Sequence, residues 1–341
     1  MSDDYLWDGT GAPDPEVAEL ERLLGRYGAT PDAPRPADAG PLDSSRGPWP
    51  TLLAMAAVSL LAAGIAWMGP SPLAPGRHDP AWALLALGGQ PTVDARRIDG
   101  WQQVPVGRWI ETDARAEARL DIADAGRVVI APNSRLRITR TAPGDHRVHL
   151  DYGTLDAVIW APPGQVVVTT PAVTAVDLGC AYTLALGPDG TGTLRVTTGW
   201  VGLVHDGREA FIPAGAVVSI LGEYGPGTPV LVSATAELTD AVEAFDRTHD
   251  VGARRVALDA ILTEASPGDA LTLWHLLTRV DPGDRGRVFD ALAARLAPPA
   301  PVTRDGIEAG DRDMIDAWWD TLGYGTRDWW RLWLRDWRDV G

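Results

Sequence analysis

The chain has 341 residues, 45% of them hydrophobic, and a formal net charge of −16. That length holds about two folded domains beside a tether, and that charge disfavours nucleic acid and anionic lipid as bulk partners. The single cysteine, Cys180, excludes an intramolecular disulfide and every cysteine-rich zinc framework.

Residues 1–28 read as a short N-terminal amphipathic helix. Asp14 is a good N-cap, Pro15 suits the first helical position, and Glu16 and Glu19 complement the positive helix end. Val17, Leu20, Leu24 and Tyr27 follow a 3-4-3 spacing and form one apolar stripe, with Glu21, Arg22 and Arg26 off it. Gly28 stops the pattern. A lone helix of about fourteen residues is marginal in water, so the stripe needs another surface. A groove on a cytoplasmic partner, the membrane surface and no defined partner are the three readings. The acidic surroundings argue against the membrane. Residues 29–50 are rich in Pro, Ala and Asp and read as an extended linker.

Residues 51–68, TLLAMAAVSLLAAGIAWM, carry no charge. At about 1.5 Å per residue they span about 27 Å, enough for the hydrocarbon core of a bilayer. Trp49 and Trp67 stand at the two ends, where indoles favour the membrane–water interface. The expectation is a single transmembrane helix. A cleaved signal peptide would need a short basic start, and this approach is long and acidic. A buried core helix would carry a polar face, and this run has only Thr51 and Ser59.

Residues 69–234 read as an all-β domain: a roll, sandwich or solenoid. From about 92 the chain consists of short β-branched runs separated by Gly, Pro and Asp at about 8–12 residues. The expected strands are 127–131, 135–140, 147–152, 154–161, 165–170, 181–186, 193–198, 200–205 and 216–221. Residues 235–341 switch to helical period, with helices expected at 237–247, 251–265, 268–280 and 284–296, several opened by Pro-Gly-Asp. A Pro-rich break and a Trp-rich end come after them. In 326–338, Trp329, Trp330, Trp333, Leu334 and Trp337 fall on one face and the arginines on most of the rest. Docking on the preceding helices with Trp318 and Trp319, interfacial membrane contact and a protein partner are the open readings of that face.

Little in the chain points to catalysis. His146 and His149 are three apart in an expected strand, so they point to opposite faces and cannot share a metal. The other four histidines have no ligand spacing. Cys180 sits in an apolar run, where a buried small side chain is the default. Asp281-Pro-Gly-Asp284 lacks a calcium-loop ladder and suits helix capping. No glycine-rich phosphate loop follows a strand. The expectation is no enzyme, no cofactor and no metal.

Within 107–221, the stretches GRWIETDARAEARLDIADAGRVVIAPNSRLRI, YGTLDAVIW, VTTPAVTAVDLGCAYTL, GTLRVTTGWVGLV and FIPAGAVVSI resemble the FecR-type periplasmic domain of membrane-anchored anti-sigma regulators. Thr170-Pro171 leading into Val176-Asp177-Leu178-Gly179, and Thr198-Gly199-Trp200-Val201, carry most of the likeness. Leu178-Gly179-Cys180 stands where the family usually has Arg-Gly-Thr. The segment TLWHLLTRVDPGDRGRVFDALAARL, together with the residues up to the Trp-rich end, looks like the helical extension of a FecR-type subgroup. The resemblance implies a single-pass inner-membrane protein, with its N-terminus cytoplasmic and its body periplasmic. Its partners would be an extracytoplasmic-function sigma factor and an outer-membrane or periplasmic signalling protein. The head departs from the family, because one helix fits where several are usual. A structural or polymer-binding envelope scaffold is the rival reading, and an enzyme with an unrecognised site a distant third.

Overall fold

A computed structural model of the chain describes residues 81–325. Alternating buried and exposed positions build two sheets whose apolar faces meet. The first runs in the order β4 (Trp101–Pro105), β1 (Ala81–Gly88), β6 (Glu117–Ile122), β7 (Gly126–Ile130), β9 (Asp145–Ile159), β12 (Ala181–Leu186), β13 (Thr191–Thr198), β16 (Ala216–Leu221) and β17 (Val230–Leu231). The second runs β3 (Arg96–Arg97), β2 (Thr92–Val93), β5 (Trp109–Glu111), β8 (Arg135–Ala142), β9 again, β10 (Val166–Thr169), β11 (Thr174–Asp177), β14 (Trp200–His205) and β15 (Arg208–Pro213). Every pairing is antiparallel except the parallel β9–β10 pair.

The fifteen-residue strand β9 belongs to both sheets and joins them. Its first half buries His146, Val148 and Leu150, and its second half buries Leu155, Ala157 and Ile159. The buried parity changes from even to odd at Gly153, where the chain passes from one sheet to the other. That phase break is why the sequence reads as two strands, 147–152 and 154–161. One strand with a bend replaces them, since backbone pairing continues through Tyr152 and Gly153 on either side of the bend. His146 faces the interior beside Thr141, and His149 faces outward against Thr169, as the strand period requires.

The β pattern also begins earlier than position 92. Strand β1, AWALLALG, is rich in Ala and Leu, which favour helix in isolation. Pairing with both β4 and β6 buries Trp82 and Leu84 and overrides that preference. Between the sheets, side chains such as Leu120, Ile138, Leu155, Leu184 and Ile212 are fully buried. Each contributes about 1.5–3 kcal/mol relative to exposure.

The helical part comprises α1 (Ala236–Arg247), α2 (Val251–Glu264), α3 (Ala270–Leu276), α4 (Arg285–Ala293), α5 (Arg304–Ala309) and α6 (Arg312–Trp319). Thr235 and Asp250 cap α1 and α2 by accepting from Leu238 N and Ala253 N. The two Pro-Gly-Asp sequences form 3-10 turns that open α3 and α4. Only the first is a capping box, with Ser266 and Asp269 exchanging bonds. At the second, Asp281 makes no side-chain cap, and Asp284 instead pairs with Arg255 and Arg287. Helix α3 stops at Leu276 and α4 at Ala293, short of the expected 280 and 296, because each ends in tight turns with bonds from three residues back. Two helices, α5 and α6, come after the Pro-rich break, where the sequence pattern suggested only a Trp-rich end.

Candidate functional site at the sheet–helix joint

The stripe of Val17, Leu20, Leu24 and Tyr27, the linker, the run 51–68 and the face of Trp329, Trp330, Trp333 and Trp337 lie outside the described residues. Among the described residues no helix is long and apolar enough to cross a membrane. Trp318 and Trp319 are fully buried on α6.

The two motifs singled out in the sequence come together. Strand β11 leaves the second sheet for β12 of the first through Leu178, Gly179 and Cys180. Strand β13 returns to β14 through Gly199. The two crossovers abut, with Leu178 N donating to Trp200 O at 3.2 Å. Both glycines have left-handed backbones, φ +81° at Gly179 and +69° at Gly199. A Cβ on Gly199 would stand 2.0 Å from Gly179 O, whereas one on Gly179 would meet open space.

Beneath this crossing, the buried Asp177 accepts from Gly179 N at 2.7 Å and from the Cys180 thiol. Burial pushes the Asp177 carboxyl up to about 7, against the pull of those donors. Burial and the adjacent Asp177 also raise the Cys180 thiol well above its ordinary range. The thiol therefore stays protonated and fills space. The sequence marks Asp177 only as one member of a motif, although a lone acid in an apolar run is a signal for such a role.

The second arrangement is the joint between β15 and the helices. Among the described strands β15 pairs only with β14, which leaves the backbone groups of its other edge to different partners. Helix α3 supplies what a strand would. Phe211 N donates to His275 Nε2 at 3.0 Å, while His275 Nδ1 bonds Leu271 O at 2.9 Å. These bonds require one neutral tautomer, with the proton on Nδ1. Burial pushes His275 down to about 3, and the nearby Arg279 adds to that. Arg279 donates to Glu209 O at 2.8 Å and to Pro226 O at 3.0 Å. The side chains of one short helix and of the turn that follows it thus cap a sheet edge that would otherwise invite pairing.

Around this cap, Phe211, Trp274 and Trp319 pack edge to face, with ring centroids 4.8–5.1 Å apart. Trp274 Nε1 donates to Ile315 O at 2.7 Å, and Thr272 to Pro229 O at 2.9 Å. Deeper in, Arg208 pairs at 3.0 Å with the buried Asp246, which also holds Thr228. Arg254 donates to Arg279 O at 2.8 Å. Three guanidiniums surround one buried carboxylate. Burial, Arg208 and Arg254 together bring Arg279 down to about 9.

The joint opens to solvent as a cleft of about 300 Å³ flanked by Arg208, Arg279 and Arg312, with Asp206 and Glu209 on the same walls. Next to it lies a narrow apolar crevice of about 20 Å³ lined by Leu203, Val204, Phe211 and Trp274. Glu209, Thr278 and Arg312 border both spaces. Sequence reasoning missed this site. Its members come from the β14–β15 hairpin, from α3 with the turn after it, more than sixty residues on, and from α6, and no local spacing connects them.

No protein-family model matches the chain, and no curated protein matches it. Among solved structures, the chain is similar to two crystal structures, each of a candidate anti-sigma factor from Parabacteroides distasonis, at 2.50 and 1.65 Å resolution. Identity is 15% and the TM-score 0.32 in both comparisons. The match covers 40% of this chain and 64% of that one in the first, and 46% and 74% in the second. In the first comparison the chain thus spans less than two thirds of its neighbour. A likeness of this degree carries no residue role from one chain to the other.

Proposed function

We propose that the chain is a single-pass inner-membrane regulator of FecR type, which relays an envelope signal to a cytoplasmic extracytoplasmic-function sigma factor. The N-terminal head contacts the sigma factor, residues 51–68 cross the membrane, and the β roll with its helical extension forms the periplasmic body. Its work is binding and transmission, without catalysis. The observation that carries this reading is the place of the two motifs on which the resemblance rests. Val176-Asp177-Leu178-Gly179 and Thr198-Gly199-Trp200-Val201 are the paired crossovers between the sheets, so the residues that suggest the family are those that shape the roll.

Co-purification of full-length chain with the sigma factor tests the proposal. Leu20→Asp and Leu24→Asp put an unpaired charge on the head stripe and abolish capture, while Arg22→Gln leaves it intact. Equal capture by all three variants, or none by the parent, overturns the reading. Reporter fusions after Ser45 and after Gly341 give cytoplasmic and periplasmic signals respectively, and a mature chain beginning near residue 70 contradicts the topology. A polymer-binding scaffold draws on a different observation, the exposed indoles Trp101 (60%) and Trp160 (58%) on the roll. Retention on envelope polymer without any sigma-factor capture favours it.

A further inference from the structure

We propose that strand β4 is a docking edge for a second copy of this chain, the two strands pairing antiparallel about a two-fold axis at Gln103. This inference does not depend on the regulatory reading.

Three observations converge on it. The first is that, among the described residues, β4 is the sheet edge left without protection. The two sheets end in the strands β4, β17, β3 and β15. His275 and Arg279 cap β15. Strands β17 and β3 are each two residues long, and both residues of β3 are arginines. Short length and charge are ordinary defences of an edge. Strand β4, WQQVP, has five residues and no charge. The second is the direction of its backbone groups. Ala86 N donates to Gly100 O at 2.8 Å, which continues the β1–β4 register. Antiparallel pairing alternates, so Gln102 and Val104 bond to β1, while the N–H and C=O of Trp101 and Gln103 and the C=O of Pro105 point to the open edge. Arg108 N approaches Pro105 O at 3.5 Å, and that oxygen keeps a second lone pair. A two-fold axis at Gln103 sets this residue opposite itself, with two reciprocal bonds, and brings each Trp101 N–H to Pro105 O of the other copy. The indole and the proline ring then lie opposite each other on one face. The third is the surface that this pairing covers. Trp101 is 60% exposed beside Leu85, and Leu87 is exposed further along β1. Arg119, Asp121 and Arg127, next on that face, pair among themselves. Asp99 lies beyond the left-handed Gly100, outside the paired stretch. Two copies of a chain with net charge −16 thus meet along a strip where no like charges face each other. Five residues a side is far below the about 20–30 of a stable interface, so the pairing is weak and depends on concentration.

Disulfide cross-linking of the full chain in detergent tests it. Directly opposed, hydrogen-bonded residues of an antiparallel pair have Cα atoms about 5.5 Å apart, within reach of a disulfide. The native thiol, Cys180, is buried. Mild oxidation should convert Gln103→Cys to a covalent dimer, in a yield that rises with protein concentration, and leave the parent uncross-linked. Trp101→Cys should not cross-link, because in this register its two thiols stand too far apart along the strands. Adding Trp101→Lys to Gln103→Cys should cut the yield about fivefold, the loss of two cross-strand pairs. The melting curve should not change, since Trp101 is mostly exposed. Cross-linking of Trp101→Cys as readily as Gln103→Cys, or an undiminished yield with Trp101→Lys, overturns the proposal. So does a Gln103→Cys thiol that reacts with maleimide yet never cross-links. A thiol shielded from maleimide in a monomeric chain also overturns it, and assigns the edge to another segment of the same chain.

Discussion

The interior of the roll and the joint beside β15 are both buried, yet they are made in opposite ways. Between the sheets the contacts are mostly apolar and repetitive, and the one buried carboxyl among the described residues there, Asp177, is held by a backbone amide and a thiol. At the joint, beside an aromatic cluster of Phe211, Trp274 and Trp319, a histidine, arginines and an aspartate replace missing backbone partners through hydrogen bonds with one geometry. An apolar core tolerates small changes of shape at modest cost. A polar joint is stable only when nearly all of its groups are satisfied. The roll should therefore fail through backbone geometry, and the joint through loss of a single atom.

The largest expected effect breaks the roll. Gly199→Val adds a branched side chain at positive φ, with its Cβ 2.0 Å from Gly179 O, and should cost about 3 kcal/mol or more. It is read as loss of folded chain on expression or as a large fall in melting temperature. Gly179→Ala, with open space around the added carbon, should cost only the strain of its backbone, about 1–2 kcal/mol. Equal losses at the two sites would show that the crossing is not close-packed.

The next effect breaks the joint. His275→Leu leaves Phe211 N without its acceptor in a water-excluded site, at about 1–3 kcal/mol. His275→Gln keeps an acceptor and should recover part of that loss in urea titrations of the full chain. If Leu and Gln are equivalent there, the cap on β15 contributes nothing.

Titration sharpens the comparison, because Asp177 of the roll and His275 of the joint respond with opposite sign. His275 lies near 3 in the folded protein against an ordinary 6.5. The stability that depends on its neutrality is intact above about pH 6.5 and is lost as pH falls toward 3. Asp177 lies near 7 against an ordinary 3.8. Its contribution is intact below about pH 3.8 and is lost as pH rises through 7. Between those limits the two oppose each other. Relative to the parent, Asp177→Asn should make stability rise more steeply with pH between about 3.8 and 7, and His275→Gln should make it rise less steeply between about 3 and 6.5. Parallel pH profiles in the two variants would refute the assignment.

Smallest of all is Cys180→Ala, which removes a buried sulfur and one donor to Asp177. A cost of about 1 kcal/mol is expected, mostly from the cavity. If the variant folds as the parent does but no longer signals, the thiol has a role that its burial conceals.

How much could be read in advance follows the same division. Strands such as 181–186 and 200–205 and helices such as 251–265 were legible almost to the residue, because apolar positions recur with the local period; the caps Thr235 and Asp250 emerged only in the structure. Strand β1 was not, because Ala and Leu leave the period ambiguous and only pairing on both sides decides it. Gly153 announced itself as a break but not as a bend between sheets. Gly179 and Gly199 could be suspected of backbone roles from their places after strands, while their contact with each other could not.

The sequence by itself determined the order of all-β then all-α, most of the sheet-forming faces and the first four helices, since each depends on neighbours within a few positions. Only the tertiary structure decided that β9 serves two sheets, that His275 and Arg279 close the edge of β15, and that Arg208, Arg279 and Arg312 meet at one cleft. Those arrangements join residues far apart in the chain, and their energies come from burial and hydrogen bonds that exist only after the sheets and helices have packed.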